Sequence, residues 1–232
     1  MVISTKAQRI LVWWSLIFVT IFGLALAFLI QMIPTPPADW SPAQVAAMYA
    51  SRGPTMRLGC AIAAWTSGFM VPLAVVIYAQ LSRLEKGTPV WSTLQLVGGI
   101  MMSIFLVLPP IFWGAAAFHP DRAIDATAVM NDLANLTLVT TDQYYMFQMV
   151  PIAVIALTTP PQHDSAFPRW VGWVTIWAGL IFEVGPFGFL FKTGVFAWNG
   201  LFVFWFPLTF FGAWIGVMAW SLLRAIRRQE AG

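Results

Sequence analysis

The sequence predicts an all-α, polytopic integral membrane protein with six transmembrane helices and one or two short extracytoplasmic surface helices. Three observations predict it. Hydrophobic residues make up 59% of the 232 and charged residues 9%, against about 45–50% and about 25% in soluble domains. Mean hydropathy is +0.78. Six stretches are apolar over the length that a helix needs to cross hydrocarbon. This balance excludes a water-soluble globule, a disordered chain and a fibre.

A single membrane domain, 1–232, is expected, with spans at 10–32, 58–81, 93–118, 133–157, 170–191 and 198–223. The first has no charged residue. Lys6 and Arg9 precede it and Ala25-Leu26-Ala27 resembles a cleavage site, but the run exceeds the roughly 7–15 residues of a signal-peptide core, so a spanning helix is expected. The second ends just before Arg83, and the third carries Pro109 and Pro110. The fourth is the least clean, because it holds Asp142, Gln143, Gln148 and Pro151; begun after Asp142 it would be at the short limit for crossing. In the fifth, Gly185-Pro186 follows Glu183 and should kink or end the helix. The sixth belongs to the stretch from Phe167 to Trp220, which holds half of all Phe, Trp and Tyr.

Between the first two spans, Ser41 suits an N-cap, Pro42 the first helical position and Gln44 a capping box, with Trp40 and Val45 at staple positions. A surface helix over 42–49 follows. A second is expected over 120–132, alanine-rich with Asp121 and Asp125 near its start. Pro160, Pro161 and Pro168 should stiffen the connection before the fifth span.

Alternate connections carry eight Lys and Arg on one side and four on the other. The excess predicts both termini in the cytoplasm and a plasma (inner) membrane location. The basic residues mark topology and lack the clustering of a nucleic-acid surface, so no nucleic acid is expected as partner. Cys60 is the only cysteine, which excludes an internal disulfide, and His119 and His163 lie in different connections. No metal site and no cofactor are expected.

An acid in hydrocarbon costs about 2.5–3.5 kcal/mol on insertion scales, so Asp142 and Glu183 are the sharpest site candidates. Counted from the outer ends of their spans they share one depth. Asn135 and Tyr145 fall on the same broad helical face as Asp142. If the two acids approach, repulsion and burial favour a shared proton, with Glu183 turned inward. Arg57, Arg122 and Lys192 are the alternative charge partners. Gly212 and Gly216 match a close-contact helix motif.

No nucleotide-binding, zinc-protease or serine-hydrolase motif occurs. The favoured reading is a multi-pass protein that binds an apolar ligand (lipid, sterol, quinone or hydrocarbon) through its aromatics, or serves as membrane subunit of a larger complex. Its expected partners are membrane lipid, an apolar small molecule, and a membrane protein or a second copy of the chain. The alternatives are a proton-coupled small carrier using the acidic pair, and a membrane-embedded lipid or isoprenoid enzyme; the missing signatures weigh against enzyme activity.

Overall fold

The computed structural model describes residues 4–119, 121–160 and 163–231; Pro120 and Pro161 lie outside the described residues. Every regular element among the described residues is helical. In chain order, α1 (Thr5–Leu24) runs on through a π-helical turn at Ala25–Ile30. Next, α2 (Pro42–Thr66) joins α3 (Met70–Leu81) through a 3-10 turn, and α4 (Val90–Phe118) follows. Then α5 (Ile124–Thr140) and α6 (Met146–Thr158) are separated by a 3-10 turn at Asp142–Tyr145. Finally, α7 (Arg169–Phe182) leads to a 3-10 turn at Gly185–Phe189, and a π-helical turn at Leu201–Trp205 opens α8 (Phe206–Ala231).

Among the described residues, five helices are long and apolar enough to cross a membrane: Thr5–Ile30, Pro42–Leu81, Val90–Phe118, Arg169–Phe189 and Leu201–Ala231. Their outer surface is apolar too. Phe28, Trp65, Trp177 and Leu190 are all more than half exposed, as suits a surface solvated by lipid. The chain is therefore an all-helical membrane protein. Helix α4 packs against α2, α3, α5 and α6 and leaves Val97, Ile100, Ile104 and Ile111 exposed on its other side.

Three expected boundaries shift. The helix that starts at Pro42 does not stop at Tyr49 but continues to Thr66. Its start is as expected: Gln44 N–H donates to Ser41 Oγ at 3.4 Å and Ser41 N–H donates to Gln44 Oε1 at 2.9 Å. Its continuation past Pro54 has a packing cause. Met48, Tyr49 and Met56 are buried on either side of the proline, and Tyr49 Oη donates to Asn131 Oδ1 of α5 at 3.1 Å. That burial offsets the lost backbone bond. The second expected surface helix likewise starts later, at Ile124, and is continuous with the outer half of the fourth expected span, to Thr140. The fourth span itself is broken at Thr141, so neither of its pieces counts among the five long helices.

Side-chain bonds gather both ends of the chain. Gln80 Nε2 donates to Gln8 Oε1 at 2.6 Å and to Gln229 Oε1 at 3.1 Å, and Arg9 pairs with Glu230. Arg83 pairs with Asp164 at 2.8 Å, and Arg228 donates to the His163 carbonyl. The start of α1, the end of α3, the connection before α7 and the end of α8 thus share one end of the bundle. At this end Glu85 caps α4, its carboxylate accepting from the N–H groups of Trp91 and Ser92 at 2.9 and 2.8 Å. A negative charge there also suits the helix dipole.

Two outcomes are expected here. Ser41→Ala should cost about 1 kcal/mol, read as faster hydrogen exchange over the first turn of α2 with the rest of that helix still protected. The second concerns pH. The hydrogen bond from Arg83 holds the Asp164 carboxyl below its ordinary value. A depressed folded value means the tether is present above the unfolded carboxylate value of about 3.9 and is lost as pH falls through the folded one. Both side chains are more than a third exposed, so the change should stay local. The protection factors of the Asp164 and Ser165 amides, exchange rates corrected for the intrinsic effect of pH, should fall in acid, and Arg83→Ala should reproduce that fall at neutral pH.

Candidate functional site

The break in the fourth expected span begins with two threonines. Thr140 and Thr141 Oγ1 donate to the carbonyls of Leu136 and Thr137 at 2.7 and 2.8 Å. Such back-bonding competes with the helical ladder and bends it. The 3-10 turn that follows aims Asp142 and Tyr145 into a partly open cavity of ≈ 90 Å³. Among the described residues that line it, Asp142 and Tyr145 are polar and the rest are apolar.

Irregular backbone surrounds this cavity. Leu26 reaches it from the π-helical turn after α1, and Val203 and Phe204 from the π-helical turn before α8. Such turns re-aim side chains and recur at functional positions. The tightest approach is Gly185, where an added Cβ would overlap the Val139 carbonyl oxygen and stand 3.5 Å from Asp142 Cβ. Only glycine lets the 185–189 turn lie on the broken helix. Just before the lining residue Met32, Gln31 ends the first π-helical turn in the left-handed region, φ 57°, and Arg52 Nη1 donates to its carbonyl at 3.0 Å.

Inside, the Tyr145 ring stacks on Phe182 at 4.7 Å between centroids and tilts against Phe211 at 5.5 Å. Its hydroxyl is buried and makes no hydrogen bond to any described residue. Leaving such a group unsatisfied costs about 1–3 kcal/mol, so the cavity holds one donor ready for an acceptor oxygen. Its volume of ≈ 90 Å³ exceeds the about 10–15 Å³ that one water needs and falls short of the about 150 Å³ of an apolar cavity that binds benzene. That volume matches the end of a slim molecule and is smaller than a ring system needs.

Glu183 is placed elsewhere. Expected to face the interior, it is exposed, and it lines a separate groove between α6 and α7. Phe182 points into the core, and one residue further turns about 100° around the helix. Asp142 and Glu183 therefore line different spaces. Asn135 is fully buried in α5, its amide unpaired among the described residues, and lines neither. Arg57 and Lys192 are exposed, and Arg122 donates to the Ala115 carbonyl at 3.0 Å. The ion pairs among the described residues are Arg9 with Glu230 and Arg83 with Asp164. An added Cβ at Gly212 or Gly216 would meet nothing within 4 Å, so that motif makes no close helix contact within the chain.

Gln148 showed in the sequence as a polar interruption of the fourth span, but its packing against α4 did not. Gln148 of α6 sits over the Gly98-Gly99 pair of α4, where added Cβ atoms would stand 2.7 Å from Gln148 N and 2.9 Å from its Nε2. Gln95 and Gln148 are fully buried with unpaired amides. The Gly98-Gly99 pair is the signal in the sequence that could have located that packing. Comparison with known proteins finds no match: no family model, no curated protein and no solved structure matches this chain.

Proposed function

We propose that this chain crosses the membrane six times with both termini cytoplasmic, and that its central cavity binds an apolar molecule by an oxygen-bearing end. The sixth crossing is α5 and α6 taken together, which returns the chain to the end where both termini meet. The excess of basic residues at that end supports a cytoplasmic side. Single cysteines in a Cys60→Ala background test this. Asp39 and Lys86 are exposed, whereas Thr35 and Ser92 are buried. Asp39→Cys should react with an impermeant reagent in intact cells and Lys86→Cys should not; the reverse pattern inverts the orientation.

The observation that carries the ligand reading is the Tyr145 hydroxyl, buried beside Asp142 in an apolar cavity without a partner. Pockets for small molecules are built this way, apolar walls with a few polar groups that fix orientation. A long-chain alcohol, aldehyde or acid, or the end of an isoprenoid, fits the volume and the donor. The proton-coupled carrier loses support, since its two acids line different spaces. Tyr145→Phe makes the sign of the effect diagnostic. Removing an unpaired hydroxyl should leave the ligand-free protein as stable or more stable, while the ligand-bound protein loses about 1 kcal/mol of its ligand-induced gain. Thermal unfolding with and without added long-chain alcohol reads both. A Tyr145→Phe variant that is destabilised without ligand would mean the hydroxyl already has a structural partner.

A further inference from the structure

The groove between α6 and α7 is a second, separate space of ≈ 420 Å³, larger than the central cavity. The two helices run antiparallel along it. An added Cβ at Gly179 would stand 3.5 Å from Met149, and one at Gly172 would stand 3.1 Å from Leu157. Met146 therefore lies beside Glu183 at one end and Thr158 lies at the other, about 18 Å apart at 1.5 Å per residue. The walls are apolar, and the two threonines in them spend their hydroxyls on their own helices: Thr158 donates to Val154 and Thr175 to Val171.

Glu183 alone is left, the one charged group of the groove, exposed, without an ion pair or hydrogen bond to any described residue. A carboxylate presented to hydrocarbon needs a cation or a proton. An elongated apolar crease bordered at one end by an unpaired carboxylate complements one class of molecule, a single alkyl chain ending in a positive head. We propose that this groove binds a single-chain cationic amphiphile, its ammonium head on Glu183 and its chain lying along α6 and α7 toward Thr158. This site is independent of the central cavity and of what that cavity binds.

The test is equilibrium binding of dodecyltrimethylammonium, with dodecanol as the neutral probe of the same chain, to the full-length protein in phosphatidylcholine nanodiscs. The wild type should bind the cation saturably. Glu183→Gln, close in shape and on an exposed position, should weaken cation binding by roughly thirtyfold or more and leave dodecanol unchanged, and Glu183→Asp should restore part of the loss. Ala153→Phe, which adds bulk to the groove wall, should weaken cation binding while Glu183 stays in place. Equal cation binding by wild type and Glu183→Gln, or cation uptake that never saturates, would overturn the proposal. Should Glu183→Gln fail to assemble, loss of saturable binding in Ala153→Phe supports it and unchanged binding refutes it.

Discussion

Gly185→Ala should be among the most damaging single methyl additions in this protein. The new Cβ would overlap the Val139 carbonyl oxygen, which is backbone within a helix and has no rotamer to escape into. Overpacking of this kind costs about 1–3 kcal/mol and sometimes more, and here it also pushes the 185–189 turn off the broken helix that carries Asp142. The control is Gly212→Ala. That site opens on space and lies in α8, so the same methyl should be neutral or stabilise by about 0.5–1 kcal/mol. Thermal unfolding in detergent should therefore rank Gly212→Ala at or above wild type and Gly185→Ala well below it. Equal melting of the two variants would mean that the 185–189 turn does not seat on Val139.

Leu138→Trp should abolish binding in the central cavity. Leu138 lines that cavity and packs against both apolar clusters of the interior, the large one and the smaller one around Val139, Trp198, Val203 and Phe204. An indole there takes up space that a ligand would use, while half-burial leaves room for it to settle. Added long-chain alcohol should raise the melting temperature of the wild type and leave that of Leu138→Trp unmoved, since a ligand stabilises only the state that binds it. An equal rise in both would move the binding site elsewhere.

The long helices were legible because hydrocarbon demands one thing of a sequence, an uninterrupted apolar run, and five runs of that kind became long helices. The N-terminus of α2 was legible as well, since a capping box is written in adjacent residues. What followed Tyr49 was not, because the helix passes Pro54 only through burial against α4 and α5. The weakness of the fourth span showed in Asp142 and Gln143, yet its outcome, two helices about a 3-10 turn, depends on the threonine back-bonds and on Gly185 seated against Val139.

The facing of Glu183 was illegible for a different reason. Helix α7 is apolar all round: Val171, Thr175, Ala178 and Phe182 turn inward while Trp173, Trp177 and Leu180 turn outward. Periodicity cannot choose a face when both faces are apolar. Nor could it find the cavity, whose wall is completed by Leu26, Val203 and Phe204 from two π-helical turns that no residue pattern announces. Asp142 and Tyr145 were found because a polar residue inside an apolar run stands out; Asn135 stood out equally and is buried in packing instead.

The most direct test is photolabelling in the membrane with a long-chain alcohol that carries a diazirine near its hydroxyl, followed by peptide mapping of the adducts. Adducts on Asp142, Tyr145 and the neighbouring Phe182 or Phe211, lost in Leu138→Trp, are the result expected of a cavity that holds the oxygen-bearing end of an apolar molecule. Adducts confined to lipid-facing side chains such as Trp65 and Leu190, unchanged in Leu138→Trp, would contradict it.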